Sequence, residues 1–444
     1  MHETRAIIHQ LLRTMGSQKE VEQYLKQFSE VESTKFAVIK VRGDIIRDDL
    51  EALCSALTFL YRVALYPIVV HGSGAQLDAA LAEAGLPIRT RDGLREIDAA
   101  TLRVARKTLT ALNHQLVDAL EAMGTRARAI PAGVFEAEPL DIERYGYHGQ
   151  VTGVDLDPIR SAIRTGHLPI LSCFAESPTG QLMMVHARTA ALSLAHRIQP
   201  FKFIFLTPQG GFVDDKGRLI RSVNLAEDYQ DLLAQPWLTG RVRSKIEAVH
   251  DLLADLPLSS SVAMTSPTQL PRELFTHRGS GSLFRRGEHV RCVEGGLDGL
   301  DIPRLRALLE TCFQRPLVAD YFETKPFYRV YVTESYRATA ILTREGELPY
   351  LDKFAVTEAA QGEGLGGTLW ARLRRDNPKL FWRSRVDNRR INPWYFSKCD
   401  GSLRDSRWVV FWYGLEGDAE IQEAIARAFK MPATLAPAAS QGGT

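Results

Sequence analysis

The sequence predicts an α/β chain of two unlike halves, an open and mainly parallel αβα sandwich followed by a smaller α+β unit. Three observations carry that expectation. From Lys35 to about residue 285, short apolar runs alternate with amphipathic stretches of helical period, the pattern of a parallel sheet covered by helices. Residues 286–300 (RGEHVRCVEGGLDGL) interrupt it with glycine and charge. Beyond them come paired strands, then a strand, a glycine-rich loop and a helix at Leu351–Trp370.

The bulk properties agree with two soluble domains. The chain has 444 residues, more than one domain usually holds. An apolar fraction of 45% and a charged fraction of 24% are those of ordinary globular chains. A net charge of +2 with no long basic run gives no reason to expect nucleic acid. Cys54, Cys173, Cys292, Cys312 and Cys399 are scattered, without a C-x-x-C, and read as reduced thiols of a cytoplasmic protein. No uninterrupted apolar segment opens the chain, and no stretch approaches a membrane span. The protein is expected to work where it is made.

Residues 1–30 read as two short helices, with stripes at Ile7, Ile8, Leu11, Leu12, Met15 and at Val21, Tyr24, Leu25, Phe28. Phe36–Val41 is a buried strand and Asp49–Tyr61 a helix. Pro67–Val70 is a second strand, leading through His71-Gly72-Ser73-Gly74 into a helix that ends near Ala84. A long amphipathic helix spans about Asp98 to Met123, and further strands fall at Ala127–Ile130, Pro169–Leu171 and Phe203–Leu206. Ligands of such a sheet sit at the carboxyl ends of its strands. In the second half, Asp301–Cys312 is a helix with Asp301 as N-cap and Pro303 in its first turn. Tyr328–Thr333, Ala338–Thr343, Phe381–Val386 and Trp408–Trp412 are strands, and Asp418–Phe429 is a helix. Residues 432–444 are rich in Pro, Ala and Gly and read as a disordered tail.

The loop Gln361-Gly362-Glu363-Gly364-Leu365-Gly366 follows an apolar strand and opens a helix. Glycines there let backbone N–H groups approach a ligand, and the helix N-terminus favours anions. This is a pyrophosphate cradle in outline. Arg383 and Arg385 alternate on one strand, so both face one way, and arginine forks match carboxylates. Lys353 is placed to reach the same cleft, with Asn388 as an amide contact.

These motifs resemble known families. FAVIKVRGD, IVVHGSGAQLDAAL, RDGLR, MMVHARTAALSLA, FIFLTPQGG and GRVRSKIEAVHDLL stand in the order of the amino-acid kinase fold, and resemble acetylglutamate kinase. LDKFAV, QGEGLG, LFWRSRVDN, INPWYF, DGS and WVVFWYGLE resemble the GNAT acetyltransferase domain of vertebrate-like N-acetylglutamate synthases, a pairing also found in bacterial fused synthase-kinases. The expected domains are an amino-acid-kinase-like unit at 31–285, a linker at 286–300 and a GNAT unit at 301–431.

The resemblance implies transfer of acetyl from acetyl-CoA, the co-substrate, to the α-amine of L-glutamate in arginine biosynthesis. It implies acetyl-CoA at Phe354, Ala355, Val356, Gln361, Gly362, Gly364 and Gly366, and glutamate at Lys353, Arg383, Arg385 and Asn388. Backbone N–H groups near Phe354–Val356 would meet the developing oxyanion. Tyr395 falls where the family's proton donor to the leaving thiolate lies, and the base that takes the amine proton is not identified. The run from Arg385 to Tyr395 is one residue longer than usual, which leaves Asn388 and Asp387 both open. No metal site, tightly bound cofactor, nucleic acid or membrane partner is expected. The family suggests a homotetramer.

The kinase elements depart from the family. Lys40 and Lys245 match its phosphate lysines, His71, Gly72 and Gly74 its second glycine loop, and Arg95 its substrate arginine. But K-x-G-G is Lys40-Val41-Arg42-Gly43, and N-x-N-A-D is Met184-Val185-His186-Ala187-Arg188, with a cation where the organising aspartate belongs. G-G-M becomes Gly240-Arg241-Val242. The domain is therefore expected to be degenerate, with Arg42 and Arg188 partly filling the phosphate position, and ATP and Mg²⁺ needed only if it still works. Its expected role is regulatory, binding L-arginine through His277, Gly279, Gly281 and Glu288. A bifunctional synthase-kinase and a non-enzymatic arginine sensor are the alternatives.

Overall fold

A computed structural model describes residues 32–275, 280–344, 346–360 and 364–436. The chain divides into two compact units, one up to Arg286 and one from Gly287. The expected helices at 1–30 lie outside the described residues.

In chain order the first unit carries β1 (Ala37–Val41), β2 (Ile68–His71), β3 (Thr90–Arg91), β4 (Leu94–Arg95), β5 (Ala127–Ile130), β6 (Phe135–Pro139) and β7 (Gly149–Val154). It continues with β8 (Leu168–Leu171), β9 (Phe174–Glu176), β10 (Leu182–Met184), β11 (Lys202–Leu206), β12 (Ser222–Asn224), β13 (Ser261–Thr265) and β14 (Ser282–Arg285). Eight of them form one sheet, in spatial order β12-β14-β13-β11-β1-β2-β8-β5. All neighbours run parallel except β13 and β14. Both faces are buried, which is why FAVIKV reads as a continuous apolar run. Val38 and Val70 pack into one layer, Ile39 and Val69 into the other. The helix Ala99–Ala122 starts where Asp98 accepts the Thr101 N–H, and buries Ala105, Leu109, Leu112, Leu116 and Leu120 at helical spacing. A second, smaller sheet, β10-β9-β6-β7, has no counterpart in the sequence reading.

The second unit carries β15 (Val290–Glu294), β16 (Phe327–Thr333), β17 (Ala338–Arg344), β18 (Pro349–Val356), β19 (Leu380–Arg385), β20 (Gly401–Arg404) and β21 (Trp408–Tyr413). Their order is β15-β16-β17-β18-β19-β21-β20. Every pair is antiparallel but one: β18 runs parallel to β19 and meets it only at Tyr350 and Leu351. The helix Leu365–Asp376 buries Leu365, Leu369, Trp370 and Leu373.

Two expectations need correction. Residues 286–300 are not simply a linker, because β15 lies within them and pairs along β16. Its strand character is hidden by the glycines around a short run. Residues 432–436 are not a free tail. The Thr434 carbonyl accepts the Val318 N–H at 3.2 Å, and the Ala436 N–H donates to Pro316 at 2.9 Å. Leu435 bridges to Leu317, and Arg315 Nε donates to the Ala436 carbonyl at 2.8 Å. An extended Pro-Ala-Thr segment can satisfy its backbone against another extended segment, which composition does not reveal. Residues 437–444 lie outside the described residues. Among the described residues no helix is long and apolar enough to cross a membrane.

Candidate functional sites

The first unit has a crevice where β1, β2 and β11 end and several helices begin. Gly43 and Gly74 open two of these helices, and Gly240 opens the helix Gly240–Asp255. The loops behind β1 and β2 are in close contact. A Cβ on Gly43 would lie 2.7 Å from the Ser73 carbonyl carbon, so only glycine fits. Gly74 takes φ +34°, and Gly72 lies against Ala187 at the start of the helix Ala187–Ile198.

The charges in this crevice are almost all positive. Burial, then Lys245 and Arg42, bring the Lys40 ammonium down to about 8. Burial, then Arg42 and Arg188, bring Lys245 down to about 8. The Lys245 Nζ lies 5.2 Å from the centre of the Phe205 ring. Arg188 reaches from its helix to the Ser244 hydroxyl at 3.3 Å. Arg42 does not fill a phosphate position: its Nε donates to Asp44 at 2.9 Å and it is half exposed. Arg95 is paired with Asp78 on the helix Gly74–Glu83.

His71 is not a crevice group. It is fully buried, and its Nε2 accepts from the Asn113 Nδ2 at 2.9 Å. Burial holds it neutral, near 4. Its function in the fold is to tie β2 to the long helix. The signal in sequence was Asn113, a polar residue on the apolar stripe of that helix.

In the expected arginine stretch, His277 and Gly279 lie outside the described residues. Gly281 is required by packing, since a Cβ there would lie 2.0 Å from the Met264 carbonyl oxygen. Glu288 does not belong to this stretch. It lies in the second unit, where its carboxylate accepts from Arg337 Nε at 2.9 Å and from the Ser335 N–H at 3.2 Å. The buried carboxylate of the stretch is Glu273, accepting the Ser280 and Gly281 N–H groups at 2.7 and 2.9 Å.

The second unit has its opening where β18 and β19 part. Beyond Leu351, β18 no longer pairs with β19. Lys353, Phe354, Ala355 and Val356 lie in this stretch. Gly364 takes φ +87°, a left-handed turn suited to glycine, and caps the helix Leu365–Asp376. A Cβ on Gly366 would lie 3.4 Å from Val356, so this helix N-terminus stands beside the end of β18. Gln361 and Gly362 lie outside the described residues.

Tyr395 sits in the short helix Asn392–Phe396, buried among Trp382, Phe411 and Trp394 with ring centres 5.5, 5.5 and 5.6 Å away. Burial pushes its phenol well above the ordinary tyrosine range. Phe354 stacks on Trp394 at 5.2 Å, which joins the strand edge to this aromatic group.

The two arginines of β19 do not act together. Arg383 lies 4.0 Å over the Trp408 ring and donates to the carbonyls of Ala428 and Met431, each at 2.7 Å. Arg385 is exposed and forms a fork with Asp387 at 3.0 and 3.1 Å. They share a face, as alternation requires, but the end of the last helix covers only the first. Asn388 spends its backbone in a turn, its N–H on Arg385 and its carbonyl on Asn392. Asn392 is the missed amide. It is 7% exposed, its Nδ2 donates to the Arg385 carbonyl at 2.8 Å, and its Oδ1 has no partner among the described residues. Its place in INPWYF, two residues from the aromatic cluster, was the available signal.

Comparisons with known proteins agree with both halves. The amino acid kinase family matches residues 35–257. The N-acetyltransferase domain of N-acetylglutamate synthase matches residues 292–431. An acetylglutamate kinase of Xanthomonas campestris is 48% identical over 95% of this chain and 100% of its own length. The mitochondrial N-acetylglutamate synthase of Homo sapiens is 34% identical over 92% of this chain and 74% of its own. Among solved structures, the Neisseria gonorrhoeae N-acetylglutamate synthase complexed with coenzyme A and N-acetyl-glutamate has a TM-score of 0.64 at 20% identity. It covers 89% of this chain and 98% of that one.

Arg383 gathers the carbonyls at the end of the helix Asp418–Lys430 and of the segment after it. Arg383→Met should therefore cost about 2 kcal/mol, read as a lower denaturant midpoint in chemical unfolding.

Proposed function

Because this chain belongs to the family of acetylglutamate kinases and N-acetylglutamate synthases, we propose that it transfers the acetyl of acetyl-CoA to the α-amine of L-glutamate. The chain is an amino-acid N-acetyltransferase. The observation that carries the substrate assignment is the parted edge of β18, flanked by Lys353, Arg383 and the buried Tyr395.

Each part has a chemical task in this reading. The N-terminus of the helix Leu365–Asp376, with Gly364 and Gly366, receives the pyrophosphate of CoA. Where β18 has left β19, backbone N–H groups near Phe354–Val356 are offered to the acetyl oxygen as it gains charge. Lys353 and Arg383 receive the acceptor's carboxylates. Arg383 suits this because carbonyls orient it without cancelling its charge, and no carboxylate pairs with it among the described residues. Arg385 and the amides of Asn388 and Asn392 border the same strand end. The amine gives up its proton before attack, to water or to a base not assigned here. Tyr395 then protonates the departing thiolate. Its raised pKa keeps it protonated through the neutral range.

A second reading adds kinase activity, and the 48% identity to the Xanthomonas acetylglutamate kinase favours it. The chemistry of the crevice weighs the other way. Phosphoryl transfer between two anions needs cations held in place by an acid. Here Arg188 adds a cation at the acid's position, and Lys40 and Lys245 repel one another. We therefore read the first unit as regulatory, with L-arginine as its effector. The solved Neisseria relative complexed with L-arginine supports that class of ligand. The stretch Glu273–Gly281 is its proposed site, with Glu273 as the carboxylate.

One coupled assay separates the readings. We expect CoA release with glutamate and no ADP release with N-acetylglutamate and ATP; equal release of both would overturn the synthase-only reading. Tyr395→Phe should lower kcat by roughly 10²-fold or more with little change in either KM, and an unchanged kcat would remove Tyr395 from the chemistry. Titration calorimetry of the intact protein should show L-arginine binding that Glu273→Gln abolishes. Absence of binding to the intact protein would end the effector proposal.

A further inference from the structure

Within β18 two successive residues, Asp352 and Lys353, do not point to opposite faces. A regular strand would separate them. The ladder with β17 explains the exception. Leu342 pairs with Leu351 and Ile341 with Lys353, so Asp352 has no partner and forms a bulge. The bulge lets both side chains enter one buried site, 6% and 4% exposed. The Lys353 Nζ donates to Asp352 Oδ2 at 2.5 Å and to Thr434 Oγ1 at 2.5 Å. The Tyr321 hydroxyl donates to the same Asp352 oxygen at 2.7 Å, and the Tyr321 ring lies 4.8 Å from the Nζ. An ammonium has three N–H donors. The third has only a long contact, 3.4 Å, to the Asp352 carbonyl.

We propose that Asp352 is a positioning residue for the acceptor site: it holds Lys353 charged and aims its remaining N–H at a carboxylate of the acceptor. The inference rests on the reading of Lys353 as an acceptor-binding residue. A lysine this deep would otherwise tend to shed its proton. The charged and titratable groups facing the pair are Tyr321, Lys325, Tyr350 and Arg383. Of these Lys325 and Arg383 are cations and oppose the charge on Lys353. Asp352 is the carboxylate that offsets them. Burial would raise its own pKa, but the Lys353 ammonium and the Tyr321 hydroxyl hold it below the usual range.

Lys353 binds a carboxylate while protonated, and removing Asp352 removes what raises its pKa. Asp352→Asn should therefore give a KM for glutamate that climbs with pH, roughly tenfold between about pH 6 and 9, where the parent enzyme stays flat. Asp352→Glu should restore much of the flat profile. The KM for acetyl-CoA should stay unchanged in both. A merely structural role would alter kcat and thermal stability at all pH values and leave the KM profile parallel to the parent, which would overturn the proposal. Should Asp352→Asn fail to fold, Asp352→Ser gives the same test: its KM for glutamate should climb between about pH 6 and 9, and a profile parallel to the parent would again refute the proposal. Failure of the parent to release CoA with glutamate is a different result, and would refute the synthase reading itself.

Discussion

The parting of β18 from β19 governs the second unit. β18 pairs with β17 from Pro349 to Val356, broken at Asp352, yet it meets β19 only at Tyr350 and Leu351. A strand left unpaired on one edge normally exposes donors and acceptors to chance partners. Here the exposed edge is enclosed, by Phe354 on Trp394 and by the helix that Gly364 caps. The same strand carries the bulge at Asp352. A buried lysine, the strand end and a helix N-terminus thus come together where β18 leaves β19. Phe354 joins this strand to the aromatic group around Tyr395, whose low polarity keeps the phenol protonated.

The first unit shows the opposite relation between fold and charge. Its parallel sheet, its glycine turns and its converging helix N-termini make a crevice suited to anions. Lys40 and Lys245 remain in it, both made readier to lose a proton by burial and by neighbouring cations. Arg188 adds to that surplus and reaches the Ser244 hydroxyl. Such a crevice can attract an anion, but its acid among the described residues, Asp44, is engaged by Arg42, and a cation, Arg188, stands at the organising position. The fold is preserved because it rests on the apolar layers around Val38 and Ile39, which the substitutions at the crevice do not touch.

The two halves, the alternating strands, the cap at Asp301 and the glycine at 364 were legible in the sequence. Each depends on a local rule: period, capping geometry, or a left-handed backbone. The candidate site was legible in residue types but less in their roles. Lys353 lies in β18 and Tyr395 in the short helix Asn392–Phe396, and both are buried. Arg383 and Arg385 were read as a pair because alternation places them on one face. Whether they share a pocket depended on Trp408 and the segment Met431–Pro432, more than twenty residues away in sequence. His71 read as a phosphate-loop residue because nothing local shows its bond to Asn113. Glu288 read as an effector ligand because it follows Gly281 closely, though the chain has by then entered the other unit.

By itself, then, the sequence determined the order of the elements, the presence of two cores and the charge reversal at Arg188, since periodicity and residue identity are written along the chain. Tertiary structure alone decided which cations are free and which are engaged. Asp352 shows the reason. In sequence it is one acid beside one lysine on a strand that should hold them apart. Only the unmatched position opposite Ile341 and Leu342 brings them together, and only Tyr321 and Thr434, from distant segments, complete the pair. Electrostatic roles depend on burial and on partners across space, and neither is a local property.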